Sequence, residues 1–416
     1  MNPFARRERR RPVVSDGEWQ RRHRPDYILI VLSALLLGIG LIVVLSIGPA
    51  LAAQKNVADN YFINKQLISV LLGIVAFAIV ANLSPKVWRL MEIPLLLAAG
   101  IASIAVRLVG EEVNGAYRWI QIGGLSFQAA ELIKLALIVW LAGFLSDRRR
   151  RGVLDDWNST YKPLLIGLTI IGFVVVWLQS DLGSAAVMMA IMGAMTFVAG
   201  IPMKRVAVAV GVIAMIGVLA IASSPYRRER VQTFLNPTTD CQGAGYQACQ
   251  SLISVGSGGM FGLGLGRSVQ AYGYQPEAGN DSIFAIFAEK FGFIGGVVLL
   301  GLFTALFARL VRIIERAPDD FSRFVSVGVL AWLSTQAMIN IGAMIGLLPL
   351  KGITLPFISY GGTSLIFVCA GIGIVFSISR YTTMQVRSKE EGVKNEDSAG
   401  GRRDGRPHYA AVSRRP

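Results

Sequence analysis

The chain has 416 residues, of which 53% are hydrophobic and only 16% charged; its formal net charge is +15 and it contains two histidines, His23 and His408. A soluble domain carries about 25% charged residues, so a water-soluble globular fold is excluded in favour of an all-α, polytopic integral membrane protein. Both histidines lie in the polar ends and no Walker A string occurs, which removes histidine metal sites, Ser–His–Asp triads and ATP-driven work from the membrane region.

In chain order, residues 1–26 form a basic head, predicted to be disordered. The uncharged run Tyr27 to Leu51 is too long for a signal-peptide core, so it reads as a retained first helix. Length and hydropathy predict ten spans, near 27–51, 63–83, 91–109, 125–145, 163–179, 182–203, 205–222, 283–311, 322–347 and 363–380. Residues 27–381 thus form one transmembrane domain, with a large outside loop at 223–282 between the seventh and eighth spans. Residues 382–416 form a basic tail, also expected to be disordered.

The positive-inside rule tests the span count. With the head cytoplasmic, the inside turns carry Lys86 and Arg89, Arg148 to Arg151, Lys204 and Arg205, and Arg312 and Arg316, followed by the basic tail. One span more or fewer would put Arg148 to Arg151 outside. Basic clusters beside spans orient the chain and meet anionic lipid, so the net charge predicts no nucleic-acid partner.

The outside loop holds Cys241 and Cys249, whose spacing permits a disulfide without establishing one. Cys369, in the last span, reads as a small packing residue. The glycines of SVGSGGMFGLGLG (Ser254 to Gly266) follow no strand, so they predict a tightly turned or re-entrant segment rather than a dinucleotide site.

With histidine excluded, chemistry rests on carboxylates, Lys and Arg. Glu131 and Lys134 lie three residues apart on one face of the fourth span. They are expected to pair, either as a structural ion pair or as the polar wall of a substrate cavity. Asp181 suits a helix cap, and Arg118, beside Trp119, an interfacial anchor. Lys351 could be a solvated loop lysine, Glu277 a surface carboxylate and Asp281 a cap of the eighth helix. All five nevertheless fall on one side of the membrane, together with Arg227, Arg228 and Arg230. Cations beside carboxylates suit a diphosphate and a hydroxyl that must lose a proton.

The chain carries the strings NGAYRWI (114–120), QSDLGSA (179–185), YRRER (226–230), GYQACQSLISVGSGG (245–259), PEAGND (276–281), FAEKFGF (287–293) and LKGITLPFISYGGTSL (350–365), together with Glu131 and Lys134, and the resemblance they carry extends over nearly all of Tyr27 to Tyr381. On these strings the chain resembles the SEDS family of peptidoglycan polymerases (shape, elongation, division, sporulation). GLGRSVQAYGYQPEAGND points to the division (FtsW) branch over the elongation (RodA) branch. The chain departs from the usual pattern at Ala129 and Ala130, Ser180, Gly279 and Ser282.

The resemblance implies a ten-helix peptidoglycan glycosyltransferase that polymerises lipid II at the septum, with both termini cytoplasmic in a multi-pass inner-membrane protein. Its partners would be a class B penicillin-binding protein transpeptidase and other division proteins. It implies Asp281 as the catalytic carboxylate and puts Arg118, Glu131, Lys134, Asp181, Glu277, Lys351 and Ser359 on functional positions; charge alone adds Arg227 and Arg228. Inversion at the sugar needs a base and no covalent nucleophile, so Asp281 is expected to take the acceptor 4-hydroxyl proton. A divalent cation (Mg or Mn) held by carboxylates is open beside no cofactor at all. A lipid II flippase, a non-enzymatic division scaffold and an elongation-type polymerase are the alternatives.

Overall fold

The computed structural model describes residues 24–381, except 114–115, 123–124, 176–178, 180, 203, 206–210, 212–233, 237–239 and 244. The head before residue 24, the tail after 381, nearly all of the predicted seventh span and the Arg227–Arg230 cluster lie outside the described residues.

Helices α1 (Tyr27–Gln54), α2 (Tyr61–Asn82), α3 (Pro85–Leu90) and α4 (Glu92–Val109) lead into a three-stranded antiparallel sheet of β1 (Glu111–Val113), β2 (Ala116–Ile122) and β3 (Leu125–Gln128), in that order. Then come α5 (Ala129–Arg151), α6 (Lys162–Phe173), α7 (Leu182–Ala199), α8 (Tyr246–Ser257), α9 (Ile283–Glu315), α10 (Asp320–Met344) and α11 (Gly362–Ser379). Among the described residues, eight helices are long and apolar enough to cross a bilayer: α1, α2, α4, α5, α7, α9, α10 and α11. They fall on eight of the ten predicted spans. Predicted span 163–179 begins as α6, whose 12 residues rise only about 18 Å.

The sheet corrects the sequence reading in two ways. The fold carries a small β element, and the fourth span begins at Ala129 instead of 125. Trp119 pairs with Gln128 and Ile122 with Leu125, a two-residue hairpin register with Gly123-Gly124 between the strands in sequence. The hairpin docks on the bundle through Thr363, whose Oγ1 accepts from Gln128 N and donates to Ser126 O, each at 3.1 Å.

Helix α5 is apolar on all sides and is buried from Ala129 to Leu145 with few breaks, so it forms the axis of the bundle. It packs against α4, α7 and α10. On the periphery, α2 and α4 leave Leu71, Ile79, Leu97 and Ile101 exposed, as a lipid-facing helix does. Small residues let α2 and α11 approach closely: a Cβ on Gly373 would lie 3.1 Å from Phe77 O.

Ion pairs gather at one end of the bundle and join the turns predicted to be inside. Arg89 meets Asp147 at 2.6 Å, Arg149 meets Asp320 at 3.4 Å, Arg309 meets Asp26 at 2.6 Å, and Arg205 pairs with Asp155. Each is partly exposed and worth about 0–1 kcal/mol, so their value here is in marking the face. At the opposite end, Gln54 Nε2 donates to Ala271 O at 3.4 Å.

Helix α9 is broken at Gly292, where φ is +65°. The glycine-rich run after α8 repairs the break: Phe293 N donates to Gly259 O (2.8 Å) and Ile294 N to Met260 O (3.1 Å). In return, Leu263 N and Gly264 N donate to Glu289 O (2.9 Å) and Lys290 O (3.0 Å). The orphaned groups of a broken helix are thereby satisfied by a tightly turned segment, the role that the glycine spacing predicted.

Candidate active site

The PEAGND loop (Pro276 to Asp281) sits just before α9. Ala278 packs with Ile47, Ala271 and Ile286. The next three carbonyls are each gripped from elsewhere. Tyr360 N donates to Gly279 O at 2.7 Å, Ser359 Oγ to Asn280 O at 2.6 Å, and Asn340 Nδ2 to Asp281 O at 2.7 Å. Asn340 Nδ2 also reaches Ile353 O at 2.7 Å. One helix, α10, therefore ties together the loop that carries Asp281 and the α10–α11 connection that carries Lys351.

Asp281 lines a small cleft with Asn340, Met344, Lys351, Gly352 and Ile353. The residue is half-buried. Its Oδ1 is enclosed and has no hydrogen-bond partner among the described residues. Burial pushes the Asp281 pKa up to about 7, helped by the Glu277 charge and opposed by a hydrogen bond from Gln247. Ser282, not Asp281, occupies the N-cap of α9. The capping reading of Asp281 therefore fails, and its carboxylate is left for the cleft. A carboxylate in this state is poised to accept a proton near neutral pH.

The other sequence-derived residues divide. Lys351 reaches the cleft. Asp181 caps α7, accepting from Ser184 N (3.0 Å) and Ser184 Oγ (2.7 Å). That helix end abuts the Lys351 backbone, because a Cβ on Gly183 would lie 2.9 Å from Lys351 O. Glu277 is exposed, has φ +50° and accepts from the Asn280 side chain. Ser359 is buried, with its Oγ committed to Leu355 N (2.7 Å) and Asn280 O, so it acts as a clamp on the loop. Arg118 falls on β2; its side chain, like Arg227 and Arg228, lies outside the described residues. Cys241 and Cys249 form a disulfide.

Glu131 and Lys134 pair at 2.8 Å, both fully buried. They are not among the residues that line the cleft around Asp281. Lys134 Nζ reaches Gln336 Oε1 at 3.2 Å, and Gln336 Nε2 holds Thr354 O at 3.0 Å. The ion pair thus braces the α10–α11 connection from behind.

Sequence reasoning missed Gln336 and Asn340, two amides four residues apart on α10; polar side chains inside a predicted span were the available signal. It also gave no role to Glu289, which accepts from Val269 N (2.9 Å) and Gln270 N (3.2 Å), or to Lys290, which donates to Leu265 O (2.8 Å).

Among the described residues no three His, Cys, Asp or Glu side chains converge. A divalent cation held through substrate diphosphate oxygens needs only one or two protein carboxylates, and no chemical step is routed through one.

These features define a multi-pass membrane protein with a charged cleft at one end of its bundle. The family model described as "Cell cycle protein" (FtsW, RodA and SpoVE) matches residues 27–384, and the chain belongs to that family. It is 39% identical over 367 residues to stage V sporulation protein E of Bacillus subtilis, covering 87% of this chain and 99% of that protein. It is also 39% identical over 369 residues to the probable peptidoglycan glycosyltransferase FtsW of Saccharophagus degradans, covering 87% and 94%. Among solved structures it resembles one described as "structural coordination of polymerization and crosslinking by a peptidoglycan synthase complex", with a TM-score of 0.72, 30% identity and coverage of 86% and 98%. The rod shape determining protein RodA of Thermus thermophilus gives a TM-score of 0.62 at 29% identity, covering 86% and 97%.

Proposed function

We propose that this chain is a peptidoglycan glycosyltransferase that polymerises lipid II on the outer face of the cytoplasmic membrane during septal wall synthesis. The observation that carries the reading is Asp281, a half-buried carboxylate with its pKa raised to about 7, in a cleft shared with Lys351. The end rich in ion pairs then faces the cytoplasm with both termini, and the cleft faces outward.

The donor sugar is α-linked to a polyprenyl diphosphate and the product is β-1,4-linked, so a single displacement inverts the anomeric carbon. Asp281 takes the proton from the acceptor 4-hydroxyl as its oxygen attacks. The bond to the diphosphate breaks, and the leaving group departs with the electron pair. Lys351, Arg118 and the Arg227–Arg228 pair supply the positive charge that the diphosphate needs. A transpeptidase of the class B penicillin-binding type is the proposed partner, since a similar solved assembly couples polymerisation to crosslinking.

The test is polymerisation of labelled lipid II by purified protein in detergent, alone and with its transpeptidase. Wild type forms glycan chains and Asp281→Asn forms none. Detergent offers no second compartment, so a flippase would make no chains. Equal chain formation by both proteins would remove Asp281 from the chemistry.

A further inference from the structure

The disulfide beside the site has no part in the reaction as described. It joins Cys241, in the turn 240–243, to Cys249 on α8, with Cα atoms 5.5 Å apart. The turn is closed on itself: Asp240 Oδ1 accepts from Gly243 N at 2.8 Å and Asp240 O from Gly245 N at 3.1 Å. Cys249 is buried.

Helix α8 has an intrinsically weak start. Its N-cap is Gly245, no side chain caps it, and its first turn has no acidic residue. A helix of 12 residues with such a start is only marginally stable on its own. The disulfide fixes the end that lacks a cap.

Gln247 lies in that first turn, two residues before Cys249. Its Nε2 donates to Ser282 Oγ at 3.1 Å, which sets the amide beside the Asp281 carboxyl, where it acts to lower that group's pKa. A second strut holds it from behind, with Ser251 Oγ donating to Gln247 O at 2.8 Å and Gln275 Nε2 donating to Ser251 Oγ at 3.0 Å. Among the described residues, the charged groups facing Asp281 are Glu277 on its own loop and Lys351 across the cleft. Helices α8 and α10 face it with the amides of Gln247 and Asn340.

We propose that Gln247 is a positioning residue for Asp281, and that the Cys241–Cys249 disulfide keeps it in place by stapling the uncapped start of α8. The inference rests on the reading of Asp281 as the proton acceptor. An amide N–H held next to a carboxylate favours its charged form, so Gln247, fixed on Ser282, favours the state that can accept a proton.

The experiment measures kcat and KM for lipid II polymerisation between pH 5.5 and 8.5, using the full chain with its transpeptidase. The proteins are wild type, Gln247→Ala, the pair Cys241→Ala/Cys249→Ala, and the triple variant. Removing the amide that favours the charged carboxylate moves the acid limb of kcat/KM upward by about one pH unit in Gln247→Ala, with KM close to wild type. The cysteine pair moves the limb in the same direction, and the triple variant matches Gln247→Ala within about twofold because the two changes act through one contact. An unmoved limb in Gln247→Ala overturns the proposal. So does a cysteine variant that loses activity equally at every pH, or a triple variant whose losses multiply. If the cysteine variant does not fold, wild type treated with a phosphine reductant replaces it under the same criteria. Wild type that makes no glycan, or makes as much as Asp281→Asn, instead refutes the proposed reaction.

Discussion

Asn340 Nδ2 donates a 2.7 Å hydrogen bond to the carbonyl oxygen of Asp281. The same nitrogen serves Ile353 O, so a single amide sets the distance between the loop bearing the carboxylate and the loop bearing Lys351. Asn340 is 2% exposed, and water has little access to replace it. Asn340→Leu keeps the branched shape but leaves two carbonyls unpaired, each costing about 1–3 kcal/mol. Melting in detergent should fall accordingly, and polymerisation should drop by more than about tenfold through kcat, because the cleft loses its geometry before its charge.

The acidity of Asp281 carries two predictions of opposite sense. Only the deprotonated carboxylate accepts a proton, so kcat/KM should rise with pH through about 7 and then level off. Glu277→Gln removes a neighbouring negative charge that raises this pKa, so its acid limb should move to lower pH. A limb that stays in place would mean that Glu277 does not act on Asp281 through charge.

Stability should run the other way. The folded pKa of Asp281 lies above its ordinary value of 3.8, so the folded state holds this proton more tightly than the unfolded state. Its contribution is most favourable below the unfolded pKa, and stability is lost as pH rises through the window from 3.8 to about 7. Asp281→Asn should therefore melt higher than wild type above pH 7, with the gap narrowing toward pH 4. Catalytic readiness here costs stability, and the two assays read it with opposite sign.

Much of this was legible in the chain. Apolar length marked the eight membrane-length helices found among the described residues, because the bilayer acts as their solvent. The Glu131–Lys134 pair was legible because neither charge is tolerable alone in that setting. The hairpin was not, since Gly123-Gly124 between two short alternating runs was subsumed into a hydropathy window that scores only apolarity. Nor were the roles of Asn340 and Gln336 apparent, since an amide's value lies in the carbonyl it meets and those carbonyls belong to loops distant in sequence. Ser359 stood on a functional position by family likeness, but its clamp on Asn280 O required coordinates.

The buried pair at the bundle axis should behave asymmetrically. Glu131→Gln leaves Lys134 charged and without its anionic partner, a loss of about 3–5 kcal/mol by the behaviour of broken buried pairs. Glu131→Gln with Lys134→Met removes both charges and should recover most of that stability. Thermal melting of the two variants separates these outcomes. If the pair only braces Gln336 and the α10–α11 connection, the double variant should also recover much of the polymerase rate. A stable double variant with no activity would give the pair a direct part in binding substrate.

The break in α9 gives the sharpest contrast between two glycines 6 positions apart. Gly262 has φ +81°, and a Cβ there would lie 2.2 Å from Lys290 O. Backbone atoms on both sides leave no flexible side chain to yield. Gly262→Ala should therefore cost more than about 2 kcal/mol, combining left-handed strain with a clash. It should also loosen the 265–270 segment held by Glu289 and Lys290, so activity falls along with the melting temperature. Gly256, inside α8, has nothing within 4 Å of its added Cβ. Gly256→Ala should stabilise that helix by roughly 0.5–1 kcal/mol. Because α8 carries Gln247, this second variant should leave polymerisation at or above the wild-type rate. Equal losses in both variants would mean that the glycine-rich run needs overall flexibility, and that the specific close approach at Lys290 is not what it provides.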